Sequence, residues 1–136
     1  MFSLSVSDHF MIAHSFADPF FGPAQRLHGA TYAVELTVRT PALGPHHVVM
    51  DIGAMRDVLR RVLAELDYTN LDEHPAFPGR TSTTERVAEF LATSVAKELV
   101  SLPAAAPPVR PATLCLLVRE SPVAWASYEL ALSEAF

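Results

Sequence analysis

The chain has 136 residues, of which 50% are hydrophobic and 18% charged, which fits one globular domain with a real core and excludes a disordered chain. Its formal net charge is -5 and it holds no basic run, so a nucleic-acid footprint is excluded. No stretch approaches the roughly 18 consecutive apolar residues of a membrane span, and Met1–Asp8 lacks the basic and apolar regions of a secretory signal. The expectation is a soluble cytoplasmic protein with neither nucleic-acid nor membrane partners.

Residues 2–14 read as a strand. Phe2, Leu4 and Val6 alternate with serines; Phe10, Ile12 and His14 then share one face, and His9, Met11 and Ala13 the other. Asp8 is the expected site of a bulge. Residues 15–25 form a loop with Pro19, Gly22 and Pro23, and an apolar one, since it carries Phe16, Phe20 and Phe21. Such a loop fits a lid or a subunit contact.

Residues 26–40 are a second strand, with His28, Ala30, Tyr32, Val34, Leu36 and Val38 on one face. Pro41, Gly44 and Pro45 make a turn, and residues 46–51 return as a third strand, closing a hairpin with a long loop. His46 and His47 are adjacent, so they face opposite ways and are read as surface residues.

Asp51 is placed as the N-cap of a helix whose stripe is Met55, Val58, Leu59, Val62, Leu63 and Leu66, ending near residues 67–70. After a connection with Pro75, Pro78 and Gly79, Ser82-Thr83-Thr84-Glu85 reads as a capping box with Ser82 as the cap. It opens a second helix striped by Val87, Phe90, Leu91, Val95 and Leu99. Four prolines make residues 103–111 a semi-extended linker. Residues 112–119 are a buried strand in which Cys115, the single cysteine, is a small core residue. Ser121-Pro122 breaks it, and residues 124–130 alternate as a last strand.

Strands grouped at both ends of the chain around two helices indicate an α+β domain spanning 1–136. An antiparallel sheet with both helices on one face buries both stripes. Its other face needs cover, which a partner subunit would supply. His14 and His28, at the ends of neighbouring strands, are placed to share one ion or one ligand.

Phe10-Met11-Ile12-Ala13-His14, Ala24 to Tyr32 with Leu27-His28-Gly29, Val49-Met50-Asp51-Ile52, Leu66-Asp67-Tyr68-Thr69-Asn70, Ser82-Thr83-Thr84-Glu85 and Val118-Arg119-Glu120 stand in collinear order. This series resembles the 6-pyruvoyl-tetrahydropterin synthase and 6-carboxytetrahydropterin synthase family, over nearly the whole chain. The resemblance implies the tunnelling fold: a four-stranded antiparallel sheet with two helices on one face, assembled into an oligomeric barrel. The expected assembly is a homohexamer or another multiple of the trimer. It also implies active sites between subunits, a zinc ion held by three histidines, and a late glutamate that grips the aminopyrimidinone edge of a pterin.

Carried onto this chain, the implied metal ligands are His14 and His28, with Ala30 where the family has its third histidine. The implied pterin anchor is Glu120, with Thr83 and Thr84 as further contacts to substrate. Asp67 and Tyr68 occupy the catalytic Asp-His positions, and Ala24 stands where the family has a cysteine. Two neutral imidazoles hold zinc poorly. A metal here needs a third donor from His9, His74, an acidic side chain or a neighbouring subunit; otherwise the two histidines are hydrogen-bonded in a pocket without metal. Tyr68, a phenol with an ordinary pKa of about 10, is a poor base near neutrality but can donate to an oxyanion.

The expected function is therefore binding of a pterin-like or purine-like heterocycle by a divergent member, with the standard lyase activity altered or lost. Alternatives are an active pterin synthase or lyase, acting on dihydroneopterin triphosphate or a related pterin with rebuilt catalytic groups, and a non-catalytic assembly partner. A weaker one is an aldolase-type or cyclohydrolase-type relative.

Overall fold

A computed structural model describes residues 1–103 and 107–132. The long strands are β1 (Phe2–His14), β2 (His28–Thr40), β4 (Thr113–Ser121) and β5 (Ala124–Ala131), joined by a two-residue β3 (Thr69–Asn70). Two helices, α1 (Ile52–Ala64) and α2 (Thr84–Val100), complete the domain. The sheet order is β3-β1-β2-β4-β5, with β1, β2, β4 and β5 antiparallel and β3 parallel to β1. The α+β class and the four antiparallel strands are as the sequence indicates; β3 is an addition too short to leave a pattern.

The alternation of the strands explains the layering. Val6, Phe10, Ile12 and His14 of β1, Tyr32, Val34, Leu36 and Val38 of β2, and Leu114, Leu116 and Val118 of β4 are all buried. The register pairs them row by row: Phe10 with Tyr32, Val6 with Leu36, Val34 with Val118. Against this face lie Met55, Val58, Leu59, Val62 and Leu63 of α1 and Val87, Leu91, Val95 and Leu99 of α2. The odd-numbered face, with Met11, Thr31, Ala33, Glu35 and Trp125, is exposed. Arg119 stacks over the Trp125 ring there at 4.1 Å.

Five readings change. Residues 46–51 are turns, not a strand, because β2 is already hydrogen-bonded on both sides by β1 and β4. Val49 and Met50 are buried all the same. β1 shows no bulge at Asp8, which pairs with Val34 in unbroken register; the irregularity falls between Arg119 and Ser121. The first helix ends at Ala64. The cap of α2 is Thr83, which accepts from the Arg86 N–H at 3.2 Å, so Ser82 and Glu85 do not form a capping box. Cys115 is half-buried on the open sheet face, since its strand covers only one side. Burial pushes its thiol pKa up.

The linker 103–111 lies partly outside the described residues, as does the end of the chain. Among the described residues no helix is long and apolar enough to cross a membrane.

Candidate functional site

The end of the sheet where β1 finishes and β2 begins gathers the polar groups of the core. His14 and His28 are cross-strand partners, and their rings meet edge to face with centroids 4.6 Å apart. His14 is 3% exposed. Its Nδ1 lies 3.1 Å from the Ser82 carbonyl and 3.0 Å from the Ser82 hydroxyl. The Nδ1 of His28 lies 2.8 Å from the Arg26 carbonyl. A carbonyl only accepts, so a proton on Nδ1 satisfies either ring, and a neutral ring in that tautomer has its lone pair on Nε2. Burial, then the neighbouring His28, lower the pKa of His14; the Ser82 carbonyl, Asp72 and Glu120 oppose this.

Ser82 explains the displaced cap. Three hydroxyls stand in a row at 82–84 and a helix needs one. Ser82 is fully buried against His14, Thr83 caps, and Thr84 turns to Glu120. Thr84 Oγ1 donates to Glu120 Oε2 at 3.2 Å. Glu120 is exposed, at the end of β4. Tyr32 lies beneath, 1% exposed and in edge contact with Phe10. The Tyr32 and His14 rings are 6.3 Å apart, so the histidine pair, the phenol and the carboxylate form one cluster.

Two further residues, not assigned to the site from sequence, lie beside it. Asp72 accepts the Ser15 N–H at 2.9 Å and the Ser15 hydroxyl at 2.6 Å, which ties the 3-10 turn Leu71–Glu73 to the end of β1. Phe16 continues from His14 (centroids 4.8 Å) and stacks on Phe21 at 4.3 Å. Phe21 belongs to the 3-10 segment Pro19–Gln25, which bends at Gly22 with φ 53°. The aromatic loop thus lies beside the histidines, with Phe20 exposed at its tip.

Asp67 and Tyr68 stand apart from this cluster. Asp67 Oδ1 accepts the Met11 N–H at 2.9 Å. Tyr68 is 80% exposed and has φ 59°, in the left-handed region. Its N–H donates to the Met11 carbonyl at 2.7 Å. A cleft of about 940 Å³ opens near the other end of β1, lined by Phe2, Leu4, Leu43, Val49, Ile52 and Val109. It contains none of the residues placed at the site by sequence.

The donor set can be tested against a three-histidine metal centre. His14 and His28 fit it: each offers Nε2 and has its Nδ1 fixed, the arrangement usual for metal-bound imidazoles. The third position does not, because Ala30 lies partly buried against the core. Nor do the described residues of the same chain supply a substitute. His9 sits on the opposite face of β1, and His74 uses Nε2 on Glu65 (3.0 Å) and Nδ1 on the Ala76 N–H (3.0 Å). Among the described residues no three His, Cys, Asp or Glu side chains are grouped to hold an ion.

The sequence profile described as 6-pyruvoyl tetrahydropterin synthase matches residues 3–131. The chain belongs to the 6-pyruvoyl tetrahydropterin synthase family. Solved structures carry the same fold. The Caenorhabditis elegans 6-pyruvoyl tetrahydropterin synthase superposes with a TM-score of 0.78 at 20% identity, covering 95% of each chain. The Plasmodium vivax enzyme gives 0.70 at 22% identity, over 95% of this chain and 97% of that one. The Plasmodium falciparum enzyme gives 0.70 at 20%, over 95% and 98%. No curated protein sequence matches the chain. Within the 6-pyruvoyl tetrahydropterin synthase family, then, this chain keeps the frame.

One side chain of the buried core gives a prediction on stability. Burial, and next the Glu120 carboxylate, push the Tyr32 phenol up to about 12, with the Thr84 hydroxyl opposing. In the unfolded chain the phenol ionises near 10. Above pH 10 the unfolded state loses a proton that the native state keeps, so stability present below pH 10 falls as pH rises towards 12. The full loss is up to about 3 kcal/mol. Denaturant unfolding between pH 9 and 12 should show this slope in the wild type and a shallower one in Tyr32→Phe; identical slopes would contradict it.

Proposed function

We propose that this chain binds a pterin-like heterocycle through Glu120 and has lost or altered the standard lyase chemistry of its family. One observation carries the reading. Glu120 is an exposed carboxylate whose position is held by Thr84, beside a histidine pair that lacks a third metal donor. A carboxylate so held accepts two parallel N–H bonds from a guanidine-like edge, a geometry that identifies that edge. Ala24 brings neither acid nor base, and the Tyr68 phenol is no substitute for an imidazole base. The proposal extends to a homohexamer, or another multiple of the trimer, acting in the cytoplasm. In it zinc is held weakly unless a neighbouring subunit completes the ligand set.

A second reading keeps catalysis, and the backbone of Tyr68 favours it. A non-glycine residue in the left-handed region costs on the order of 1–3 kcal/mol and is often retained for function. Here the strain presents a phenol outward, where an adjacent subunit's ligand could meet it.

Purified chain, titrated with pterin, lumazine and guanine and incubated with dihydroneopterin triphosphate with and without added zinc, separates the readings. Saturable pterin binding with no new product supports the first. Zinc-dependent turnover supports the second, and failure to bind any of the heterocycles removes the first.

A further inference from the structure

The two histidines of the site are held differently. The Nδ1 of His28 faces one partner, the Arg26 carbonyl at 2.8 Å. That nitrogen keeps its proton, so the Nε2 of neutral His28 is an acceptor. The Nδ1 of His14 faces two groups of one residue, the Ser82 carbonyl at 3.1 Å and the Ser82 hydroxyl at 3.0 Å. The carbonyl requires a proton on Nδ1, whereas the hydroxyl can donate to a bare Nδ1. With the proton on Nδ1, the hydroxyl proton of Ser82, a residue 0% exposed, finds no other acceptor among the described residues. With Nδ1 accepting, the carbonyl faces a lone pair. Each arrangement leaves one buried group unpaired, at a cost of the same order. His14 thus has two tautomers of similar standing, and His28 has one. Neither Nε2 makes a hydrogen bond among the described residues, and no buried side-chain nitrogen there lacks a partner. The Nε2 of His14 therefore reaches the accessible surface, although the residue is 3% exposed.

We propose that Ser82 makes His14 a tautomer switch, and that the histidine pair, without a metal, clamps a hydroxyl group of the ligand. The ligand hydroxyl donates to His28 Nε2 and accepts from His14 Nε2–H, while the Ser82 hydroxyl donates to His14 Nδ1. The proposal rests on the reading of the site as a heterocycle binder anchored by Glu120. An alcohol has one proton and two lone pairs, so it suits two unlike neighbours. Cross-strand pairing on one face, with ring centroids 4.6 Å apart, brings the two imidazoles together for it. Zinc needs the opposite, a lone pair on both Nε2 atoms. Ala30 withholds the third donor that would favour that state. Ser82 is thus a positioning residue: it acts on the ligand through the imidazole.

The test uses the full chain in its native assembly, with isotope-labelled histidine and metal stripped by a chelator. Ring nitrogen shifts in NMR spectra report each tautomer. Before any ligand is added, His28 should be in the Nδ1–H form. His14 should show an Nε2–H population that disappears in Ser82→Ala, where only the carbonyl remains. Glu120 holds the amino edge, so the hydroxyl belongs on the remote ring. The probes are therefore the 6- and 7-hydroxymethylpterins and their methyl counterparts, which lack only the oxygen. One hydroxymethyl isomer should bind about 3- to 10-fold tighter than its methyl counterpart and drive His14 to the Nε2–H form. Ser82→Ala should abolish that preference, an effect that a loss of packing alone would not single out. The wild-type spectra carry the test should Ser82→Ala not fold. If His14 stays wholly in the Nδ1–H form with every probe, or if hydroxymethyl and methyl pterins bind equally, the clamp is wrong and the Glu120 anchor stands. If no pterin binds at all, the anchor falls and takes the clamp with it.

Discussion

Glu120→Gln is expected to weaken pterin binding by at least about 100-fold while the domain stays folded. Hydrogen bonds to a charged group contribute about 1.5–3 kcal/mol each, and a two-pronged grip loses strength in both when the charge is removed. Two such losses make about 3–6 kcal/mol, or two to four powers of ten in affinity. The amide also presents an NH2 where the ligand presents its own donor, so the fit worsens as well as the charge. Stability should change by less than about 0.5 kcal/mol, because Glu120 is exposed and makes one hydrogen bond to Thr84. Equal affinities of wild type and variant, measured by titration calorimetry, would remove Glu120 from the site.

Ala30→His is expected to raise zinc affinity by about 100-fold. Position 30 lies two residues beyond His28 on the same strand, so its side chain emerges on the same face. His14 and His28 already have Nδ1 beside carbonyls, which leaves Nε2 as the nitrogen for a metal. A third imidazole completes the set that catalytic zinc uses, with one position left open. Complete zinc sites bind with about 10–16 kcal/mol over their ligands, so one ligand in four corresponds to about 3 kcal/mol, or a factor of about 100. The variant is also expected to hold zinc through dialysis that strips the wild type. Metal analysis of both proteins after the same dialysis is the measurement. Equal retention would mean that the wild type already draws a third donor from another subunit.

The strands were legible where one face is buried and the other open, because burial then writes period two into the sequence. Phe10, Tyr32, Leu36 and Val118 show this directly. Residues 46–51 have the composition of a strand, but composition does not reveal that β2 has no free edge for them. The site was legible in its parts. His14, His28 and Glu120 stand out as residue types at strand ends. What joins them did not, because the joints span distant sequence: Thr84 reaches Glu120 across 36 residues, and His14 reaches Ser82 across 68. Ser82 and Thr83 compete for the same cap, and only the buried imidazole decides which one moves inward. Asp67 reads as half of a catalytic pair, and the bond its carboxylate accepts from the Met11 amide, 56 residues away, leaves no trace in the sequence.

The strand bearing His28, Ala30 and Tyr32 is gripped along both margins by its neighbours. Sliding it by a single residue would swing all three side chains to the bare side of the sheet, and every bond along two borders resists that slide. Chemistry at these positions can therefore be exchanged one side chain at a time, with the scaffold holding still. A histidine can give way to a methyl group, or return, without the vacated place being lost.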